Sequence, residues 1–319
     1  MLAKDVIKRV REIQIRTGRH VADVLAGEYV SVFRGSGIEF DEVRPYIPGD
    51  DVRLIDWNVT ARMGEPFVKR FVEERQLSIM IMADVSASQE FGSANRSKRE
   101  AAAELAALLA FSATNNDDNV GLILFHGGIE QYIPPRKGQK HALRVIREVL
   151  THGADPEESK PKPKRKARWL PFGRKRAWRA AKQATSIAGA MEFLMSVTPR
   201  KTICFLISDF QDENYEKALL SANRKHDVIA VHINDPREQA MPNVGLLTLS
   251  DAETGETKLL DTGSKSFRDQ YAKLSESRVQ QLKDRFASTG IDFIDIDATG
   301  SVVDPLTKFF RMRERRMRR

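Results

Sequence analysis

An α/β fold on a doubly wound, mainly parallel sheet is predicted by two features of the sequence. Short runs are apolar throughout and have the length of strands, and helical-length stretches, amphipathic or Ala-rich, lie between them. The rhythm starts after residue 76, where "LSIMIMA" reads as a buried strand and residues 96–115, "RSKREAAAELAALLAFSATN", as a helix. Strand "VGLILF" and a helix over 138–150 follow. Helix 186–197, strand "TICFLIS", helix 213–225 and strand "DVIAVHI" repeat the alternation. A hairpin, "GLLTLSDAETGETKLLD", precedes a helix over 266–288, strand "IDFIDI" and a closing helix from residue 302. Ligand sites in such sheets sit where the strands end at their carboxyl termini.

Upstream the pattern differs. Apolar residues at Val6, Ile7, Val10, Ile13, Val21, Val24 and Leu25 predict a helix over 3–26. Residues 29–75 are rich in turn signals, "RGSG" and "PGDD" among them, and predict a small β-rich lobe of short strands. The expected organisation is therefore an N-terminal helix (1–28), the lobe (29–75) and a large α/β domain (76–319). The charged opening does not resemble a secretory signal, and no apolar run reaches the length of a membrane span. Cys204, the single cysteine, lies within an apolar run and reads as a core residue, so no disulfide framework is possible. A reduced, cytoplasmic setting is the expectation.

The net charge of +8 is concentrated locally. Residues 160–179, "KPKPKRKARWLPFGRKRAWR", hold ten Lys or Arg and no acid, and the tail "RMRERRMRR" holds six Arg against one Glu. The remainder is net acidic. Pro161, Pro163 and Pro171 oppose a continuous helix in the insert, 155–182. Three readings stay open there: a solvated loop, attachment to anionic lipid, or nucleic-acid binding. The residues expected to meet an anionic membrane surface or other anionic partner are Lys164, Arg165, Lys166, Arg168, Trp169, Phe172, Arg174, Lys175, Arg176 and Trp178. Aromatic side chains among positive charges suit a headgroup interface.

The chemistry begins at "IMADVSAS", where an apolar strand ends in Asp84, Ser86 and Ser88. Three hard oxygen donors at alternate positions suit Mg²⁺ or Mn²⁺, and the lack of an adjacent His or Cys speaks against zinc. A match of this form arises by chance in about one chain in ten of this length, so it decides nothing alone. Two further loops add to it. "FLISDF" ends a second apolar strand in Asp209, and "ATSIAGAME" opens a helix beside Thr185. Thr185 has the alternative role of helix cap. A rival set, Asp295, Asp297, Thr299 and Ser301 in "IDIDATGS", has too little chain after it to complete a site, and capping of the last helix explains it better.

The set Asp-x-Ser-x-Ser, Thr, Asp resembles the metal-ion-dependent adhesion site of von Willebrand factor A domains. The resemblance implies that Asp84, Ser86, Ser88, Thr185 and Asp209 hold the metal, the two acids acting mainly through water. Residues 33–76, with "RPYIPGDDVRLIDW" and "TAR" followed by the strand and "DVSAS", closely resemble the bacterial family known as domain of unknown function number 58. That family implies a von Willebrand factor A-like fold and a role beside MoxR-type AAA+ ATPases, as an adaptor in assembling or activating other complexes. A client protein would supply an acidic side chain to the open metal position. Many members are membrane-anchored; this chain shows no span, so the expected location is the cytoplasm, free or peripheral to the inner membrane.

Other activities find little support. No Gly-x-x-x-x-Gly-Lys-Ser/Thr loop or Gly-x-Ser-x-Gly elbow occurs, and His20, His126, His141, His152, His226 and His232 are scattered. "GDD" at Gly49–Asp51 reads as a turn, with Asp56 expected to pair with Arg53 or Arg62. The expectation is a non-enzymatic, metal-dependent interaction module. A metal-dependent phosphoesterase using the same acids is the alternative, and a scaffold tethered by the basic insert a third.

Overall fold

The computed structural model describes residues 39–72, 77–94, 96–152, 185–250 and 257–317. The expected helix over 3–26 and the basic insert, with its ten residues from Lys164 to Trp178, lie outside them. The chain divides into two compact units at Leu77.

In the first unit β1 (Glu39–Pro45) pairs antiparallel with β2 (Phe67–Val72). The connection turns at Gly49, whose φ of 110° excludes most other residues. Asp50 fixes this turn by accepting from Ile47 N at 2.9 Å and from both Arg44 guanidinium nitrogens at 2.8 and 2.7 Å. Asp51 caps a short 3-10 turn over Val52–Leu54. Both acids therefore serve the turn. Helix α1 (Trp57–Met63) was not expected here; Asp56 caps its start and Gly64 ends it in the left-handed conformation. Asp56 pairs with Lys69 at 3.4 Å, not with Arg53 or Arg62 as the sequence suggested. Lys69 lies on β2, which only the folded hairpin brings near.

The second unit carries the six-stranded sheet. Its strands are β3 (Ser78–Asp84), β4 (Asn119–Phe125), β5 (Ile129–Arg136), β6 (Ile203–Ser208), β7 (Asp227–Asn234) and, after the separate antiparallel hairpin β8 (Leu246–Ser250) and β9 (Thr257–Asp261), β10 (Asp292–Asp297). The spatial order is β10-β7-β6-β3-β4-β5. All pairs are parallel except β4 with β5. The sequence reading has no strand at 129–136. Pro134 and Pro135 obscure it; they are tolerated because the strand is at the edge and both fall at an irregularity of register, opposite Gly121 alone.

Helices α2 (Lys98–Asn115), α3 (Gln139–Thr151), α4 (Ile187–Val197), α5 (Glu216–Lys225), the short α6 (Pro236–Gln239) and α7 (Lys265–Thr289) lie between the strands, and α8 (Val303–Met317) follows the last of them. Ser97 and Glu100 close α2 in a reciprocal cap. Helix α5 begins at Glu216 rather than 213, because Asn214 has φ 63° and cannot be helical. Alternation along the strands makes two cores. Met80, Met82, Ile123, Cys204, Leu206 and Ala230 pack with Met191 and Leu194 of α4, Leu219 of α5 and Phe286 of α7. On the other face Ile79, Ile81, Leu122, Leu124 and Phe205 are fully buried, as is nearly every residue of the Ala-rich α2. Each large side chain here contributes roughly 1.5–3 kcal/mol by leaving water. The two layers hold the β3 and β6 ends side by side, with Ala83 opposite Ile207.

Candidate metal centre at the carboxyl edge of the sheet

Asp84 is the last residue of β3 and is buried. Its Oδ1 accepts from Ser86 N at 2.9 Å, and its Oδ2 accepts from Ser208 Oγ at 2.8 Å. The first contact turns the chain sharply after the strand and points the two serine hydroxyls the same way. Ser86 Oγ and Ser88 Oγ are 2.9 Å apart. Ser88 Oγ then donates to Asp209 Oδ2, also at 2.9 Å, across 121 residues of sequence. The backbone aims Asp209 from its other side: Phe210 has φ 52°, a conformation rare for an aromatic residue. Its ring is packed against Tyr215, His232 and Phe286, which holds it there.

Thr185 lines the same cleft as Ser88 and Asp209. It is not the helix cap; that role falls to Ser186, whose hydroxyl accepts from Gly189 N at 3.2 Å. The hydroxyl of Thr185 lies 3.2 Å from Nδ1 of His126. All five residues read from the sequence are thus at one end of the sheet, four of them linked by hydrogen bonds.

Burial, and then the neighbouring Asp209, push the Asp84 carboxyl up to about 6. Two acids have been drawn together where water cannot separate them. Part of the answering charge comes from Lys98, which is fully buried, its Nζ 3.3 Å from Asp209 Oδ2 and 2.8 Å from Glu238 Oε1. The sequence reading missed Lys98, Ser208 and Glu238. One signal was present: α2 opens with Lys98 and Arg99, cations at the end of a helix that favours anions. Both are buried because acids meet them, Glu90 in the case of Arg99.

Do these residues fit a metal ion? The five donors are carboxylate or hydroxyl oxygens, the set that Mg²⁺ and Mn²⁺ prefer. Neighbouring oxygens around octahedral Mg²⁺ are about 2.9 Å apart, given bonds of about 2.0–2.1 Å. The Ser86–Ser88 pair has that spacing. Among the described residues no group of three or more His, Cys, Asp or Glu is placed to hold a metal ion, so a cation here would rest on two carboxylates and the hydroxyls. The rival set proves local: Asp297 accepts from Thr299 N and Oγ1 at 2.7 and 2.8 Å, and Ser301 Oγ accepts from Asp304 N at 3.3 Å to start α8.

The strand order, with one antiparallel edge beside a parallel core, is that of a von Willebrand factor A-like fold. The chain belongs to the family described as protein of unknown function DUF58, which it matches over residues 42–281. It is 26% identical over 307 residues to the uncharacterized protein Rv1480 of Mycobacterium tuberculosis, covering 96% of this chain and 89% of the relative. Among solved structures it is similar to the conserved hypothetical protein BatB from Bacteroides thetaiotaomicron, with 16% identity, a TM-score of 0.43, and coverage of 75% of this chain and 99% of that one. The SpRpn10 VWA domain gives 12% identity, a TM-score of 0.37, and coverage of 74% and 95%. Among the described residues no helix is long and apolar enough to cross a membrane.

Proposed function

We propose that the chain is a non-enzymatic protein-interaction module that takes Mg²⁺ or Mn²⁺ at Asp84, Ser86, Ser88, Thr185 and Asp209. It serves as the adaptor or client-recognition partner of a MoxR-type AAA+ ATPase. The observation that carries the metal is the convergence of two carboxylates and three hydroxyls from three loops beside an open cleft. A bound cation supplies a position at which a client's Asp or Glu can bind with strict geometry, giving specificity as well as affinity. Ser86, Ser88 and Thr185 would contact it, while Asp84 and Asp209 supply the negative charge. The ATPase partner rests on the family resemblance. The client would be met in the cytoplasm or at the inner face of the inner membrane.

The test is capture from native lysate with the whole chain, in Mg²⁺ and in EDTA, beside a folded Asp84→Ala variant. An AAA+ ATPase recovered only by wild type in Mg²⁺ supports the reading. Equal recovery in all arms places docking away from the metal. One observation favours a second reading, phosphoester hydrolysis: His126 stands 3.2 Å from the hydroxyl of Thr185 and could take a proton from water. Mg²⁺-dependent turnover of p-nitrophenyl phosphate that disappears in His126→Ala would establish it.

A further inference from the structure

A cleft of about 720 Å³ opens directly beside the oxygen cluster. Ser88, Thr185 and Asp209 form one end. The remainder is largely apolar, walled by Phe91, Met241, Val244, Leu247, Leu249 and Tyr271. Hairpin β8–β9 contributes Leu247 and Leu249 from one face and Ser250 from its end, while Leu246 and Leu259, on the alternate face, do not line the cleft. Phe91 and Val244 are exposed apolar side chains at this surface. The volume lies within the range of ligand sites, and an apolar wall with few polar groups at one end is their usual composition.

The charges around the cleft define its occupant further. Glu238 is answered by Lys98 at 2.8 and 3.1 Å. Asp212 accepts from Ile187 N and Glu213 N, both at 2.7 Å. Arg237 stands exposed on the rim and has no ion pair among the described residues. With a cation on the oxygen cluster, the cleft has two positive features, the cation and Arg237, beside the Asp212 carboxylate, and an apolar wall. Such a surface complements a carboxylate with a large apolar group close by. We propose that the cleft binds a peptide segment of a client in which an Asp or Glu is followed or preceded, within about two residues, by Leu, Ile, Met or Phe. The acid goes to the metal and the apolar side chain to the wall of Met241, Leu247 and Leu249. This inference rests on the metal-dependent reading above and adds the sequence preference of the client.

A library of random nine-residue peptides displayed on phage, selected on the whole chain in Mg²⁺ and in EDTA, tests both levels separately. The expected result in Mg²⁺ is enrichment of acidic residues together with about a tenfold preference for Leu or Phe over Ala beside them, the ratio for burying one large side chain. Leu249→Ser and Met241→Ser should lose the apolar preference and keep the acidic one. Leu259→Ser, on the other face of the hairpin, should keep both. Acidic enrichment with no apolar preference overturns the cleft and leaves the metal reading standing. The same holds if Leu259→Ser loses the preference as fully as Leu249→Ser. Enrichment unaffected by EDTA, or none at all, overturns both.

Discussion

Asp84 and Asp295 are carboxylates of the same sheet, yet their environments set them at opposite ends of the acid range. Burial pushes Asp295 up, but hydrogen bonds from His232 and Lys283, with their charges, hold it down at about 2. His232 Nδ1 lies 2.9 Å from its Oδ1, Asn234 Nδ2 2.8 Å from the same oxygen, and Lys283 Nζ 3.0 Å from Oδ2. Asp84 is the more deeply buried and receives only a backbone N–H and serine hydroxyls, while Asp209 repels it. One acid has its charge answered inside the protein, so it binds strand to strand and helix. The other is answered only in part, by the charge of Arg99 and by Lys98 beside its neighbour Asp209, and that is where a cation from solution would gain most.

The contrast can be broken most severely at Asp84. Asp84→Asn should weaken Mg²⁺ binding by more than ~100-fold, measured by titration calorimetry, since even supporting neighbours of a metal cost about 10–100-fold when lost. A residual affinity within tenfold of wild type would remove Asp84 from the site. The same substitution should stabilise the metal-free protein. Because the folded carboxyl titrates near 6 rather than 3.8, its ionisation opposes folding. The stability held below pH ~4 is lost as pH rises through about 6, to the extent of about 3 kcal/mol. Urea unfolding in EDTA should therefore favour Asp84→Asn over wild type at pH 8, with the gap closing at pH 4.

Asp295→Asn should do the reverse, losing about 2 kcal/mol at pH 7 after allowance for its partial exposure. Here the folded value is depressed, so the contribution is present above pH ~4 and lost only as pH falls toward about 2. A neutral effect in urea unfolding at pH 7 would mean that the His232–Lys283 cluster does not hold the sheet. The smallest change sharpens the comparison. Lys98→Met removes the cation that now partly answers Asp209, and Mg²⁺ affinity should rise about tenfold. A fall instead would make Lys98 a support of the site rather than a competitor.

The alternation of strands and helices was readable because both faces of the sheet are covered, which makes each strand apolar from end to end. The α5 start was misplaced because left-handed backbone at Asn214 has no sequence signature beyond a tolerant residue type. The five oxygen donors could be read because local motifs mark strand ends. Ser208 and Glu238 could not, since they meet the site only through pairing of β3 with β6 and the position of α6, and Lys98 left only the sign of its charge at a helix start. Asp56 shows the same limit: charge patterning suggested Arg53 or Arg62, and the hairpin supplied Lys69.

The paired prolines of β5 have a consequence for how the molecule meets copies of itself. Among the described strands β5 is the last on its side of the sheet, and an edge strand invites another chain to add a strand. Pro134 and Pro135 have no N–H to offer, and Pro134 is exposed. Near its carboxyl end that border cannot donate to an added strand, which hinders stacking edge to edge at high concentration.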